Sequence, residues 1–120
     1  MLRELEISPR HLPALVQLAF EYQKRGEADQ GLKHAENAVQ VAPDSFVARN
    51  ALGKLLLDSG QVEKGVAELE RSRQLAPDSP QTRFALASAY TQLGRKEDAA
   101  REMKEFQRLR KLLGESGREP

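Results

Sequence analysis

The same four-residue word, Ala-Pro-Asp-Ser, stands at residues 42–45 and again at 76–79, 34 positions apart. Recurrence at such a period marks a stack of helical hairpins, each one supersecondary unit that cannot bury its apolar face alone. The word is also punctuation. Pro43 and Pro77 lack the N–H that a helix interior needs, and the residue before each is pushed out of helical geometry. Asp and Ser just after them suit a helix start, because a side-chain oxygen can accept from the free N–H groups of the first turn.

The period reaches beyond the word. Leu18, Leu52 and Leu86 are in phase, as are Ala19, Gly53 and Ala87, then Gly31, Gly65 and Ala99. Small residues at two fixed phases imply two helices that cross closely. Gly26, Gly60 and Gly94 hold a third phase, the turn between those helices, where a positive φ is often required. The spacing predicts helices over 12–25, 28–41, 46–59, 62–75, 80–93 and about 96–113. Apolar residues recur at i, i+3, i+4 and i+7, as in Leu15, Leu18, Ala19 and Tyr22. Leu32, Ala35, Ala38, Val39 and Val41 are expected to face inward on the second helix. Ser79 and Pro80 predict a capped start for the fifth. Pro9 keeps the beat, so residues 1–11 read as the tail of a truncated repeat, followed by repeats at 12–45, 46–79 and 80–113. Lys111 stands where the next proline would fall, so the last helix runs on until Gly114, and residues 115–120 are expected to fray. Phe106 replaces a small residue in that helix, which suggests that stacking stops there.

These residues resemble the tetratricopeptide (TPR) repeat over about nine-tenths of the chain. Against the family's pattern of large, Leu, small, Tyr, Ala, large, Ala and Pro, repeat one offers Leu15, Leu18, Ala19, Tyr22, Gly31, Ala35, Ala38 and Pro43, with Ala35 a departure where a large residue is usual. Arg49 and Arg83 depart from it where a large apolar residue is usual. The resemblance implies an all-α fold, an α-solenoid whose antiparallel hairpins form one right-handed superhelical array over residues 1–114. It also implies a protein-binding scaffold with no catalysis of its own.

Composition sets further bounds. A formal charge of +1 speaks against a nucleic-acid partner or an acidic tail. Without cysteine there is no disulfide or thiol chemistry, and the redox compartment stays open. No apolar run approaches the ~20 residues of a membrane span. The charged start Met1-Leu2-Arg3-Glu4-Leu5 does not resemble a signal peptide, so a cytoplasmic location is the expectation.

No reactive constellation stands out, and neither cofactor nor metal is expected. His11 and His34 lack a second ligand at zinc-site spacing and read as solvated. Gly26 and Gly31 have the spacing of a phosphate loop, but the Lys-Ser/Thr pair and the preceding strand are missing. Glu68 and Glu70 read as solvated surface. Arg101, Lys104, Arg108 and Lys111 form a basic stripe, but Glu97, Glu102 and Glu105 interleave and can pair within the helix, again a solvated face. No aromatic platform accompanies the stripe for base stacking.

What remains is the concave surface that the resemblance implies, drawn from the first helix of each repeat. Its residues here are Val16, Phe20, Gln23 and Lys24, then Val47, Asn50, Lys54, Leu57 and Asp58, then Gln81, Phe84, Ser88, Thr91 and Gln92. Phe20 and Phe84 are the candidate apolar anchors, with Asn50, Ser88, Thr91 and Gln92 able to hold a peptide backbone. Some TPR domains clamp the C-terminal carboxylate of heat-shock chaperones with Lys, Asn and Arg on this face. Val16, Phe20, Ala51, Gln81 and Ala85 occupy those places here, so that partner is not expected. The expected partner is a protein or peptide with an apolar anchor. Self-association is the alternative, through Leu2, Leu5 and Ile7 at one end and Met103, Phe106, Leu109, Leu112 and Leu113 at the other, which would give a homodimer. A further alternative is an accessory domain of a larger enzyme or regulator.

Overall fold

A computed structural model describes residues 11–118. The sequence expectations for residues 1–10 and for 119–120 lie outside the described residues. Six helices follow one another: α1 (Leu12–Lys24), α2 (Ala28–Val41), α3 (Phe46–Asp58), α4 (Val62–Leu75), α5 (Pro80–Gln92) and α6 (Lys96–Arg118). No strand occurs among the described residues. Helices pair as the hairpins α1–α2, α3–α4 and α5–α6, and each hairpin packs on the next. The radius of gyration is 15.2 Å, above the roughly 13.6 Å of a compact globule of this length, as an open array requires.

The repeated word folds as predicted, as a turn. Ser45 N–H donates to the Ala42 carbonyl at 3.0 Å, and Ser79 N–H to that of Ala76 at 3.2 Å, with proline second in each turn. Ser45 then caps α3, its Oγ accepting from Ala48 N–H. Ser79 does not cap α5 with its side chain, because its hydroxyl donates to Gln81 and lies 3.3 Å from that of Thr82. At the hairpin tips, Gly94 adopts φ 76°, and Arg95 N–H reaches back to the Tyr90 carbonyl at 2.8 Å. This closure needs a left-handed residue.

The core runs through the stack as three linked clusters. They centre on Leu15, Ala38 and Ala48, on Ala19, Ala35, Leu52, Leu55 and Leu56, and on Val66, Leu69, Leu86, Ala89 and Tyr90. The structure also departs from the sequence expectation at Val41 and at Gly114. Val41, the final residue of α2, is 38% exposed. The last helix passes through Gly114 to Arg118, so residues 115–118 are helical. Glycine in a helix costs up to about 1 kcal/mol but keeps its N–H donor, so it weakens a helix without ending it.

The arginines that break the family pattern form a repeated clip. Arg49 Nε donates to the Pro43 carbonyl at 3.0 Å, while its Nη1 pairs with Glu68 at 2.9 Å. Arg83 does the same 34 residues on, with Pro77 at 3.1 Å and Glu102 at 3.0 Å. Each clip ties the turn before a hairpin to the returning helix of that hairpin. Glu68 and Glu102 are therefore not solvated surface. Glu102 is 4% exposed and also takes Arg73, so it pairs between helices and not along its own. Glu70 is likewise engaged, accepting from Tyr90 O–H at 2.5 Å. Burial, then that bond and the Glu70 charge, push the Tyr90 hydroxyl up to about 12.

His34 is half-buried, not solvated. Its ring stacks on Tyr22 at 5.2 Å, and its Nδ1 is buried without a hydrogen-bond partner. Desolvation lowers its pKa below 6.5. On acidification the unfolded chain therefore binds this proton first, and stability falls as pH drops through 6.5. The melting temperature should be lower at pH 5.5 than at pH 7.5, and His34→Phe should flatten that slope while keeping the stack on Tyr22. Asp98 and Glu105, held below their usual values by Arg95 and Arg108, lose their share only in the carboxylate range, so the two windows separate.

Candidate functional site

One groove of about 870 Å³ opens on the array. Its walls come from α3, α5 and α6. From α3 come Lys54, Leu57 and Asp58; from α5, Pro80, Gln81, Phe84, Ala85, Ser88 and Gln92. These include seven of the residues read from sequence as the concave surface. α6 adds Phe106, Arg110 and Leu113, none of which the concave-surface pattern includes, because that pattern draws only on first helices.

The floor is aromatic. Phe84 is 51% exposed, and its ring meets that of Phe106 at 5.1 Å with a 49° tilt. The exposed Phe84 ring is costly in water, and an apolar side chain laid on the pair would recover the burial. Leu113 extends the apolar strip along α6. The rim is charged: Lys54 and Arg110 stand against Asp58, and none of the three pairs with another described residue. The Arg110 guanidinium lies over the Phe106 ring at 5.8 Å.

The remaining expected site residues lie elsewhere or are engaged. Phe20 is half-buried against the core of Leu52, Leu55 and Leu56, with Lys54 over its ring at 5.6 Å. Val16 packs on Leu15, Ala38 and Ala48. The α1 stretch of the surface therefore supports the core, and Gln23 and Lys24 do not line the groove. Val47 is exposed but outside it. Asn50 Oδ1 accepts from Thr82 at 3.2 Å, and the Thr91 hydroxyl donates to the Ala87 carbonyl at 2.8 Å. Neither is as available to a peptide as the sequence suggests.

A second cleft, of about 720 Å³, is lined by Arg73, Arg83, Arg101, Glu102, Lys104, Glu105 and Arg108. Most of its cations are matched: Arg73 and Arg83 to Glu102, Arg101 to Asp98, and Arg108 to Glu105 at 2.5 Å. Among the described residues, no cluster of His, Cys, Asp or Glu is placed to hold a metal ion. No described helix is long and apolar enough to cross a membrane.

Stacked helical hairpins with an open groove define an α-solenoid of the protein-binding kind. The tetratricopeptide repeat family model matches residues 2–111, and the chain belongs to that family. No curated protein matches the chain. Among solved structures, the crystal structure of MamA is similar at 17% identity and TM-score 0.79, covering 89% of this chain and 63% of that one. MamA from Desulfovibrio magneticus RS-1 is similar at 21% identity and TM-score 0.78, over 89% of this chain and 60% of the other. The second TPR of Spaghetti (RPAP3), bound to the HSP90 peptide SRMEEVD, matches at 11% identity and TM-score 0.79. That match covers 88% of this chain and 98% of that one. The chain thus spans less than two-thirds of these MamA structures, and at such identities the likeness is one of fold.

Proposed function

We propose that this chain is a protein-interaction scaffold without catalytic activity of its own, binding a segment of a partner protein in the α3–α5–α6 groove. The observation that carries this reading is the exposed Phe84 ring, packed on the half-buried Phe106, on the floor of an open groove. Leu57 and Leu113 extend the apolar surface, while Gln81, Ser88 and Gln92 can pair with a partner's backbone. The occupant is not a chaperone tail of the SRMEEVD kind. Val16, Gln81 and Ala85 stand where a carboxylate clamp needs Lys or Arg, and Phe20 and Ala51 where it needs Asn.

The test is a pull-down from native lysate, followed by calorimetry with the bound segment once it is mapped. Phe84→Ala should weaken that segment about tenfold or more, as loss of an anchor does, without lowering the melting temperature. The SRMEEVD peptide should not bind. Equal affinity of wild type and Phe84→Ala would overturn the assignment. Self-association is the second reading, favoured by Leu112 and Leu113 at 51% and 56% exposed. Sedimentation velocity at two concentrations separates it, since a scaffold of the first kind stays monomeric.

A further inference from the structure

The joint between α3–α4 and α5 shows how this chain recognises an incoming helix. Thr82, fully buried near the start of α5, has its hydroxyl 3.1 Å from Ser72 Oγ on α4 and 3.2 Å from Asn50 Oδ1 on α3. Ser79 Oγ is 3.3 Å away. Eight residues along α5, Tyr90 donates to Glu70 on α4. The seat thus reads one hydroxyl near the start of the helix and one about two turns on.

Adding 34 to each seat residue gives the outer face of α5–α6. Asn50 becomes Phe84, Ser72 becomes Phe106, Ser79 becomes Leu113, and Glu70 becomes Lys104. The polar ring around Thr82 is replaced by three apolar side chains that line the groove, and the acceptor carboxylate by an exposed cation. A second copy offering its own α5 would lose the Asn50 and Ser72 partners of Thr82 and bury that hydroxyl against two phenyl rings. The rim adds Lys54 and Arg110 against one carboxylate, Asp58.

We infer that the outer face of α5–α6 seats an amphipathic α-helix of another protein, docked as α5 docks on its predecessor. That helix carries an aliphatic or aromatic side chain at the Thr82 place and a carboxylate about two turns later, opposite Lys104. This rests on the proposed partner-binding role of the groove and specifies its occupant. The helical form follows from the interior joint, where a helix fills the equivalent seat. The acidic flank follows from the exchange of Glu70 for Lys104.

The test uses the full chain and two displayed peptide libraries, one locked as helices and one extended. Affinities of the selected peptides are measured by fluorescence anisotropy. The helical library should yield binders with a large apolar residue and, about eight positions later, Asp or Glu. Phe84→Asp should weaken them about thirtyfold, the loss expected for a hot-spot residue. Lys104→Glu should weaken them about tenfold and shift the selected residue to Lys or Arg. Both side chains are exposed, and circular dichroism melts check that each variant folds. If only extended peptides bind, and bind through Phe84, the helical seat is wrong while the groove stands. Binders indifferent to Phe84→Asp and Lys104→Glu would remove both. A dimer of the chain alone that Phe84→Asp disperses would make a second copy the occupant and overturn the inference.

Discussion

Glu102→Ala is expected to destabilise the fold by about 3 kcal/mol, lowering the melting temperature by about 10 °C. The carboxylate is 4% exposed and holds two guanidinium groups, Arg73 on α4 and Arg83 on α5. Its removal leaves two cations in a cleft already rich in them, and it releases the α6 end of the clip that fixes the Pro77 turn. Arg73 and Arg83 keep 31% and 17% of their side-chain exposure, so water relieves part of the penalty. The figure therefore sits at the low end of what breaking a buried pair costs. Arg101→Ala, which breaks only the surface pair with Asp98, should cost under about 0.5 kcal/mol. Urea unfolding of the two variants side by side measures the difference. Equal midpoints would show that the clip adds nothing to stability.

The second large effect is one of sign. Alanine in place of glycine normally strengthens a helix by up to about 1 kcal/mol. Gly114→Ala should do so, since a Cβ there meets nothing within 4 Å. Gly31→Ala should do the opposite and cost about 2–3 kcal/mol, the price of overpacking. A Cβ on Gly31 would sit 2.7 Å from the backbone carbonyl of Ala19, which cannot swing aside as a side chain can. The α1–α2 crossing must then widen, opening the cluster around Ala19 and Ala35. Thermal melts of both variants give the answer, and a Gly31→Ala protein as stable as wild type would mean that the crossing is not tightly held.

The architecture was legible because its rules are periodic. Proline and glycine phases placed the starts at Leu12, Ala28, Phe46, Val62 and Pro80, where the helices begin. What escaped was what depends on contacts between repeats. Arg49 and Arg83 are departures only when their one position is set against a family pattern. The signal lay in three positions together: Pro43, Arg49 and Glu68 recur as Pro77, Arg83 and Glu102. Neighbours along their own helices say little about Glu68 and Glu102, whose partners come from other helices. The groove shows the same limit. A pattern of first helices finds Leu57, Phe84 and Ser88 but not Phe106, which reaches the same floor from α6.

The clip also gives the array a direction. Repeat one has no such device: Leu15 stands at the phase of Arg49, and His34 at the phase of Glu68. The clips fasten α3–α4 and α5–α6, whereas among the described residues α1–α2 shows in their place apolar contacts and a stacked ring pair whose burial disfavours the charged histidine. Acid that charges His34 should therefore loosen the α1–α2 pairing before it reaches the two clipped hairpins.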